Sequence, residues 1–232
     1  VFWAQQKTAI TLRDLEFDGG GAGANADRPG LLHFVGCEGV ELDALRLRSG
    51  SASGVALDRT SGRLENLVVH GFAESGIFAI DNWGLDISRC RIFDCGNGGI
   101  LVWAREAGGR DGTVVANNDI YDIRFDGGGN GQNGNGINVF RAGAVTVSGN
   151  RMRNCAFSAV RANSSSDCQI VANSARAIAE HVTQDADQSN ENSATITLEE
   201  LDVGLLPGFV EDLLPIDLQF SIWQPAAIFS QS

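Results

Sequence analysis

Residues 99–123, GILVWAREAGGRDGTVVANNDIYDI, contain the two patterns that decide the fold. The stretch opens with a glycine and a short apolar run. It closes with a triplet at Val115, Asn118 and Ile120. In this triplet, two residues separate the first aliphatic residue from the middle one, and one residue separates the middle one from the second aliphatic residue. Short apolar runs and alternation with a period of two are typical of β-strands. The stretch therefore predicts short strands joined by tight corners.

The closing pattern recurs eight times along the chain. Its members are Leu12/Leu15/Phe17, Leu42/Leu45/Leu47, Leu64/Leu67/Val69, Ile87/Cys90/Ile92, Val115/Asn118/Ile120, Val147/Asn150/Met152, Ile170/Asn173/Ala175 and Leu198/Leu201/Val203. The first members are separated by 30, 22, 23, 28, 32, 23 and 28 residues. A constant minimum with occasional extra length is typical of a solenoid with loops at its corners. We therefore predict an all-β, single-stranded parallel β-helix of about eight coils, each of roughly 22 residues plus corner loops.

The opening pattern has its own register and predicts which side chains point inward. The residue before each run is Gly30, Gly54, Gly76, Gly99, Gly136 or Ala159. The first and third residues of the runs, which we expect to face inward, are Leu31/His33, Val55/Leu57, Ile77/Ala79, Ile100/Val102, Ile137/Val139 and Val160/Ala162. The second and fourth residues are then expected to face outward.

Equivalent residues of successive coils lie about 4.8 Å apart and form columns. The middle column of the triplets changes from leucine to Asn118, Asn150 and Asn173, which we interpret as a buried amide ladder. Cys95 and Cys155 fall two coils apart in one column, about 9.6 Å, which is beyond disulfide reach. We assign the cysteines to the core and expect no metal site from them.

Composition and charge limit the classes of partner. The chain has 232 residues, 43% of them hydrophobic, which is enough for one continuous core. Its net charge of −12 repels nucleic acid and anionic membranes, so we expect neither as a partner. The sequence has no run of about 18 apolar residues, so it predicts no membrane-spanning helix. The chain starts at Val1 without a charged and apolar leader, so we expect that an export signal was removed or never included.

Aromatic residues at outward positions of the glycine-led strands mark a candidate binding face. Phe78, Trp103 and Phe140 fall on successive coils and form a strip suited to stacking of sugar rings, with Asn138 beside them. The alternative is that long loops or the C-terminal tail fold over this strip and bury it. The sequence leaves these two interpretations open.

Charged residues beside this strip indicate the chemistry of a ligand. Asp58 and Asp81 form a pair suited to acid–base catalysis or to Ca²⁺, and guanidinium groups are suited to bidentate contacts with uronate carboxylates. Solvated surface charge is the alternative explanation for each residue taken singly. The candidate catalytic residues are Asp58, Asp81, Arg141 and Arg161, and the candidate substrate-binding residues are Phe78, Trp103, Arg105, Glu106, Asn138 and Phe140.

Extra chain length is confined to a few corners. Insertions fall at residues 18–29, 105–111 and 126–135, and the last two flank Trp103 and Phe140. Loops on a regular scaffold are where binding residues concentrate. Their position supports the same face as the candidate site.

Four stretches carry a resemblance to a known family: GILVW at 99–103, DGTVVANN at 111–118, GQNGNGINVFRAG at 131–143 and VSGNRMRNCAFSAVRANSSS at 147–166. They resemble the twin-arginine-translocated uncharacterised repeat proteins of the pectate-lyase-like right-handed parallel β-helix group. The resemblance covers most of residues 8–179. It implies right-handed coils and an exported protein, periplasmic or extracellular. That family has no established reaction, so the resemblance implies no catalytic residues.

We predict a β-helix domain over residues 1–204, with an N-terminal cap over 1–9, and a C-terminal segment over 205–232. That segment is rich in apolar residues, from Leu205 to Trp223, and is unsuited to be a free linker. We expect it to cap the stack or to pack along its side. Homo-oligomerisation through it is the alternative.

Three functions agree with these patterns. The first is an enzyme, a polysaccharide lyase or glycoside hydrolase, that binds and cleaves an acidic polysaccharide, with Ca²⁺ as the cofactor to consider. The second is a non-catalytic glycan-binding module that uses the same face. The third is a structural, spike-like assembly protein. Arginine is a poor base, and the single lysine, Lys7, lies outside the candidate face, which disfavours a lyase.

Overall fold

A computed structural model describes residues 1–21, 29–129 and 131–176, and the backbone of residues 194–201. These described parts of the chain form β-strands, numbered β1 to β21 in chain order, and contain no helix. No helix long and apolar enough to cross a membrane is therefore found among them. The predicted all-β class is confirmed.

One sheet has seven strands, which come from the glycine-led runs. Its order is β1 (Phe2–Gln5), β4 (Gly30–Val35), β7 (Ser53–Asp58), β10 (Ser75–Ile80), β13 (Gly98–Trp103), β16 (Asn135–Phe140) and β19 (Val160–Asn163). Each strand pairs in parallel with its equivalent on the next coil, as β10 does with β7 and β13. Hydrogen bonding therefore runs from coil to coil.

A second sheet of 14 strands folds around the other two sides of each coil. Its first arm consists of β2 (Thr11–Arg13), β5 (Val40–Asp43), β8 (Gly62–Glu65), β11 (Asp86–Ser88), β14 (Val114–Ala116) and β17 (Thr146–Ser148). Its second arm consists of β3 (Glu16–Asp18), β6 (Arg46–Gly50), β9 (Val68–Phe72), β12 (Arg91–Cys95), β15 (Asp119–Ile123) and β18 (Arg151–Cys155). The long strand β20 (Cys168–Arg176) joins the arms and pairs with β21 (Ala194–Leu201). Three strands per coil, stacked in parallel, make this a parallel β-helix.

The triplet pattern forms the core columns that the sequence predicts. Leu42 pairs with Leu64, which pairs with Ile87, and all three are at most 1% exposed. The middle column forms the amide ladder: Asn118 Nδ2 donates to Asn150 Oδ1 at 2.9 Å, and Asn150 Nδ2 donates to Asn173 Oδ1 at 2.9 Å. Buried amides thus satisfy one another and the backbone around them.

The first glycine-led strand lies one residue out of the predicted register. Gly30 pairs with Ser53 instead of Gly54, so Leu32 and Phe34 face inward and are fully buried. His33, which we predicted to face inward, belongs to the outward column. The prediction was wrong because both possible phases of this run place a leucine in the core. The larger ring of Phe34 is buried in the phase that forms.

The last coil departs from the predicted register, by two residues at Ile170 and Ala175 and by three residues at Asn173. Ile196 pairs with Ile170, where we predicted Leu198, and Leu198 instead pairs with Asn173. A shift of two residues preserves an alternating sequence pattern, so alternation alone does not exclude it. Residues 1–9 contribute β1, which is the first strand of the seven-stranded sheet. The tail over 205–232 and the end of the predicted domain lie outside the described residues.

Four of the five cysteines are buried in the core as predicted, and Cys155 is partly buried against it. All five are free thiols, and Cys95 and Cys155 lie on either side of Ile123 in one column. Burial raises the pKa of Cys90, Cys95 and Cys155 to about 12. These thiols are therefore small packing groups and poor nucleophiles.

Candidate functional site

The outward face of the seven-stranded sheet carries two columns of side chains, and the predicted site residues lie on it. The first column is His33, Ala56, Phe78, Leu101, Asn138 and Arg161. The second column is Val35, Asp58, Ile80, Trp103, Phe140 and Asn163. The parallel register thus places residues from distant parts of the chain side by side.

Phe78, Trp103 and Phe140 form a continuous aromatic row. The ring centroids of Phe78 and Trp103 are 5.4 Å apart with the planes at 89°, and those of Trp103 and Phe140 are 5.7 Å apart at 68°. Edge-to-face contacts of this kind are favourable. All three side chains are half-buried, so the row presents an apolar surface that is partly open.

The residue after several of these strands adopts a left-handed backbone conformation. The φ angle is 48° at Arg59, 53° at Asp81, 61° at Arg141 and 54° at Ser164. Residues other than glycine rarely adopt this conformation, so tertiary contacts must hold it. One such contact is the amide of Arg141, which donates to the Asn163 carbonyl at 3.0 Å. The repeated corner brings Asp81 and Arg141 to the same edge of the sheet.

Arg105, in the loop after β13, joins Asp58 and Asp81 into one ion-pair cluster. Its Nη1 donates to Asp58 Oδ1 at 3.1 Å and to Asp81 Oδ2, and its Nη2 donates to Asp58 Oδ2 at 2.9 Å. The Arg105 amide donates to Asp81 Oδ1 at 2.8 Å, and Arg59 Nε donates to Asp58 Oδ1 at 3.1 Å. Hydrogen bonds to the two carboxylates raise the pKa of Arg105 above its usual value. Two carboxylates and two guanidinium groups balance in charge.

The cluster limits what the two carboxylates can do. All four oxygens of Asp58 and Asp81 accept hydrogen bonds, so a substrate or Ca²⁺ would have to share these oxygens with Arg105 or displace it. In the described ranges, no three His, Cys, Asp or Glu side chains are grouped so as to hold a metal ion. Glu106 is exposed on the same loop and makes none of the cluster's hydrogen bonds.

Arg141 lies next to this cluster but, unlike Arg59 and Arg105, forms no ion pair with Asp58 or Asp81. Its Nη1 donates to the Arg105 carbonyl at 2.8 Å, and its guanidinium carbon lies 4.8 Å from the centroid of the Phe140 ring. The side chain is exposed. Within the described ranges, no ion pair involves Arg141. Its charge is thus available to an anion that approaches the aromatic row.

The loop before β16 covers part of the face. Asn138 is 3% exposed, and its Nδ2 donates to the Gln132 carbonyl at 3.1 Å. Leu101, on the neighbouring strand, is 9% exposed. This loop therefore covers Asn138 but leaves Phe78, Trp103 and Phe140 half-buried. The C-terminal tail, the other segment expected to cover the aromatic strip, lies outside the described residues.

Arg161 lies apart from the Asp58–Asp81 pair. It is four strands away from Asp58 in the sheet, roughly 19 Å along the axis. Its guanidinium carbon lies 5.8 Å from the ring centroid of Phe157, which stacks on Phe125 at 6.0 Å. The structure thus does not bring Arg161 together with the two carboxylates that we grouped with it.

A pocket of about 210 Å³ lies on the face at β4, β7 and β10. Its lining residues are Pro29, His33, Ala56, Leu57, Asp58, Phe78, Ile80 and Arg105. Ala56 lies between the larger His33 and Phe78 in the first column, so the small side chain leaves a notch one strand wide. This pocket was not predicted from the sequence, because the register of His33 was predicted wrongly.

A second aromatic feature escaped the sequence prediction. His70 stacks on Phe93 with centroids 4.6 Å apart, Phe93 stacks on Tyr121 at 4.9 Å, and the guanidinium carbon of Arg153 lies 3.8 Å from the Tyr121 centroid. These residues share an outward column of the second arm. Their ring faces are covered by one another, so the column stabilises the stacking of coils and offers little surface to a ligand.

Asp111 is a buried carboxyl at the corner after β13. It is 5% exposed, and its Oδ1 accepts a hydrogen bond from the Thr113 amide at 3.0 Å. Loss of hydration raises its pKa above the usual range, against the opposing effect of that bond. Neighbouring corners hold buried Asn82, whose Oδ1 accepts from the Thr60 amide at 2.7 Å. These polar groups satisfy the corner backbone and belong to the scaffold.

Comparison with known families agrees with the geometry. The family model described as right handed beta helix region matches residues 30–127 and 53–200. The chain therefore belongs to the family of proteins with a right-handed β-helix region. Comparisons with curated proteins and with solved structures found no significant match.

Proposed function

We propose that this β-helix binds an acidic polysaccharide along the outward face of its seven-stranded sheet. The observation that carries the proposal is Arg141, an exposed guanidinium group over the Phe140 ring without a carboxylate partner in the described ranges. Guanidinium groups bind carboxylates in bidentate geometry, and aromatic surfaces support sugar rings. The Phe78–Trp103–Phe140 row leads away from Arg141 across neighbouring strands, so one extended chain meets both features.

In this proposal the Asp58–Asp81 pair holds Arg105 and does not cleave the bound chain. All its oxygens already accept hydrogen bonds. General acid–base catalysis needs a carboxyl group within hydrogen-bond reach of the substrate proton or oxygen. Binding without turnover therefore needs fewer changes in the site than hydrolysis or elimination does.

Export to the periplasm or the cell exterior is part of the same proposal, as is membership of the twin-arginine-translocated repeat proteins. Both rest on the resemblance to that family, which covers most of residues 8–179. An assembly role through residues 205–232 is the competing function, and size-exclusion chromatography with and without that segment distinguishes it. A monomer in both cases argues against assembly.

Affinity electrophoresis with polygalacturonate tests the proposal. We expect Arg141→Gln to weaken binding about tenfold, because a hydrogen-bonded charge is lost, and we expect salt to weaken the wild-type protein more than the variant. Arg151→Gln is the matched control, since Arg151 is an exposed arginine on the second arm of the other sheet. Equal binding by wild type and Arg141→Gln would refute the proposal.

Cleavage is measured in the same samples. Incubation with polygalacturonate, with and without Ca²⁺, is followed by assays of unsaturated and reducing ends. We expect neither product from the wild-type protein, and we expect Asp58→Asn/Asp81→Asn to bind more tightly because Arg105 is released toward the ligand. New chain ends that disappear in this double variant would show that the pair is catalytic.

A further inference from the structure

The charges along the face are unevenly distributed, and this bears on the kind of polysaccharide that fits. At the pocket beside Ala56, the carboxylates of Asp58 and Asp81 are balanced by Arg59 and Arg105. A third carboxylate at this place would make the cluster net negative and is opposed by repulsion. Arg141, in contrast, carries a charge that no described ion pair offsets.

The pocket itself has the features of a site for one uncharged ring. Phe78 supplies an aromatic wall, and Ala56 supplies a floor recessed between larger neighbours. The Asp58 carboxylate lines the pocket, and the half-exposed Arg105 guanidinium is suited to donate hydrogen bonds to ring hydroxyl groups. The volume of about 210 Å³ is smaller than the roughly 300–1,000 Å³ of pockets that enclose whole ligands. It suits a single ring of a longer chain.

The separation of the two features sets a spacing. Ala56 lies on β7 and Arg141 directly follows β16, which are three strands apart in the sheet. At about 4.8 Å per strand, the distance along the axis is roughly 14 Å. A polysaccharide that follows the axis therefore places a ring in the pocket several strands before it reaches Arg141.

We infer that the ligand is a heteropolysaccharide in which neutral rings separate the uronates, with a neutral ring in the Ala56 pocket and a carboxylate on Arg141. This inference rests on the proposed function and specifies its substrate class. Ala56 is then a specificity-determining residue, because its small side chain leaves the space for the neutral ring. A uronate homopolymer occupies the Arg141 region but is repelled at the pocket.

Two polymers test the inference on the full chain. Polygalacturonate carries a carboxylate on every ring, and fragments of deacylated gellan carry one glucuronate per repeating unit among neutral rings. We expect the wild-type protein to bind the gellan fragments more tightly. Ala56→Leu adds three carbons and fills the notch. We expect it to weaken gellan binding by at least about tenfold, since one misplaced methylene in a fitted pocket already costs about that much. Polygalacturonate binding should change by less than about twofold.

Controls separate this inference from the proposed function and from misfolding. Ala116→Leu makes the same change at an outward, half-buried position of β14 and is expected to leave both affinities unchanged. If thermal melting shows that Ala56→Leu is unfolded, Phe78→Leu removes the aromatic wall at similar volume and is expected to lower gellan binding selectively. Equal affinity for both polymers, unchanged by either variant, overturns the inference but leaves the role of Arg141 intact. Failure of both polymers to bind overturns the proposed function as well.

Discussion

The asparagine ladder gives the sharpest prediction about stability. Asn150 Oδ1 accepts hydrogen bonds from the Asn118 amide at 3.0 Å and from Asn118 Nδ2 at 2.9 Å. Its Nδ2 donates to the Val115 carbonyl and to Asn173 Oδ1, both at 2.9 Å. Asn150→Ala removes all four bonds inside a core where Asn150 is fully buried.

The expected loss follows from the groups left behind. The Asn118 amide and the Val115 carbonyl lose the side-chain partners described above, and each stranded buried group costs about 1–3 kcal/mol. The lost packing of the amide adds to this. We expect the free energy of unfolding to fall by about 4 kcal/mol, a large share of the roughly 5–15 kcal/mol that stabilises a typical domain.

Equilibrium unfolding in urea, followed by tryptophan fluorescence and circular dichroism, measures the loss. Gln169→Ala is the control, because Gln169 is an exposed amide on β20 beside the ladder. Its substitution should cost less than about 0.5 kcal/mol. A loss below about 1 kcal/mol for Asn150→Ala, with an unchanged denaturant slope, would contradict the view that the ladder satisfies buried backbone groups.

Three further predictions concern close approach, pH and the ion-pair cluster. Gly99→Ala should destabilise the protein by about 1–3 kcal/mol, because a Cβ at residue 99 would lie 2.3 Å from the Gly136 carbonyl oxygen. Gly109→Ala is the control and should be neutral in the same urea titration, because the space around Gly109 is open. Asp111 has a raised pKa in the folded state, so its contribution to stability is greatest at low pH and is lost as pH rises above about 4. The melting temperature of Asp111→Asn, relative to that of the wild type, should therefore be higher at pH 7 than at pH 4. The same difference at both pH values would contradict a raised pKa for Asp111. Arg105→Leu should lower the free energy of unfolding by no more than about 1 kcal/mol, because its ion pairs are exposed to solvent. It should also make the loop over residues 104–112 more sensitive to limited proteolysis. Unchanged cleavage would argue that the ion-pair cluster does not hold the loop in place.

The sequence predicts the core columns well, because inward positions repeat as large aliphatic residues with a constant minimum spacing. The asparagine column and the cysteine positions follow from the same alignment of coils. It predicts the first strand poorly, since Leu31 and Leu32 are both apolar and either phase buries a leucine. The last coil slips for a related reason: Ile196 and Leu198 occupy equivalent alternating positions, and a shift of two residues preserves the pattern.

On the candidate face, too, some features could be predicted from the sequence and others could not. Phe78, Trp103 and Phe140 could be placed in one row from the sequence, because each occupies a fixed position in a repeated strand. The joining of Asp58 and Asp81 by Arg105 could not, since Arg105 comes from an inserted loop with no counterpart on other coils. The repeat constrains the backbone of each strand but leaves the path of such a loop free.

The amino-acid sequence by itself therefore determined the architecture of this protein, the composition of its core and the face on which charged and aromatic side chains gather. These depend on local alternation and on coil spacing, both of which are written in the order of residues. Only the tertiary structure decided which of those side chains meet: that two candidate catalytic carboxylates are held by an arginine, that Arg141 is left over a phenylalanine ring, and that a notch forms at Ala56. Each of these depends on contacts across coils and on loop paths, where hydrogen bonds and charge balance select one arrangement among many that the sequence pattern allows.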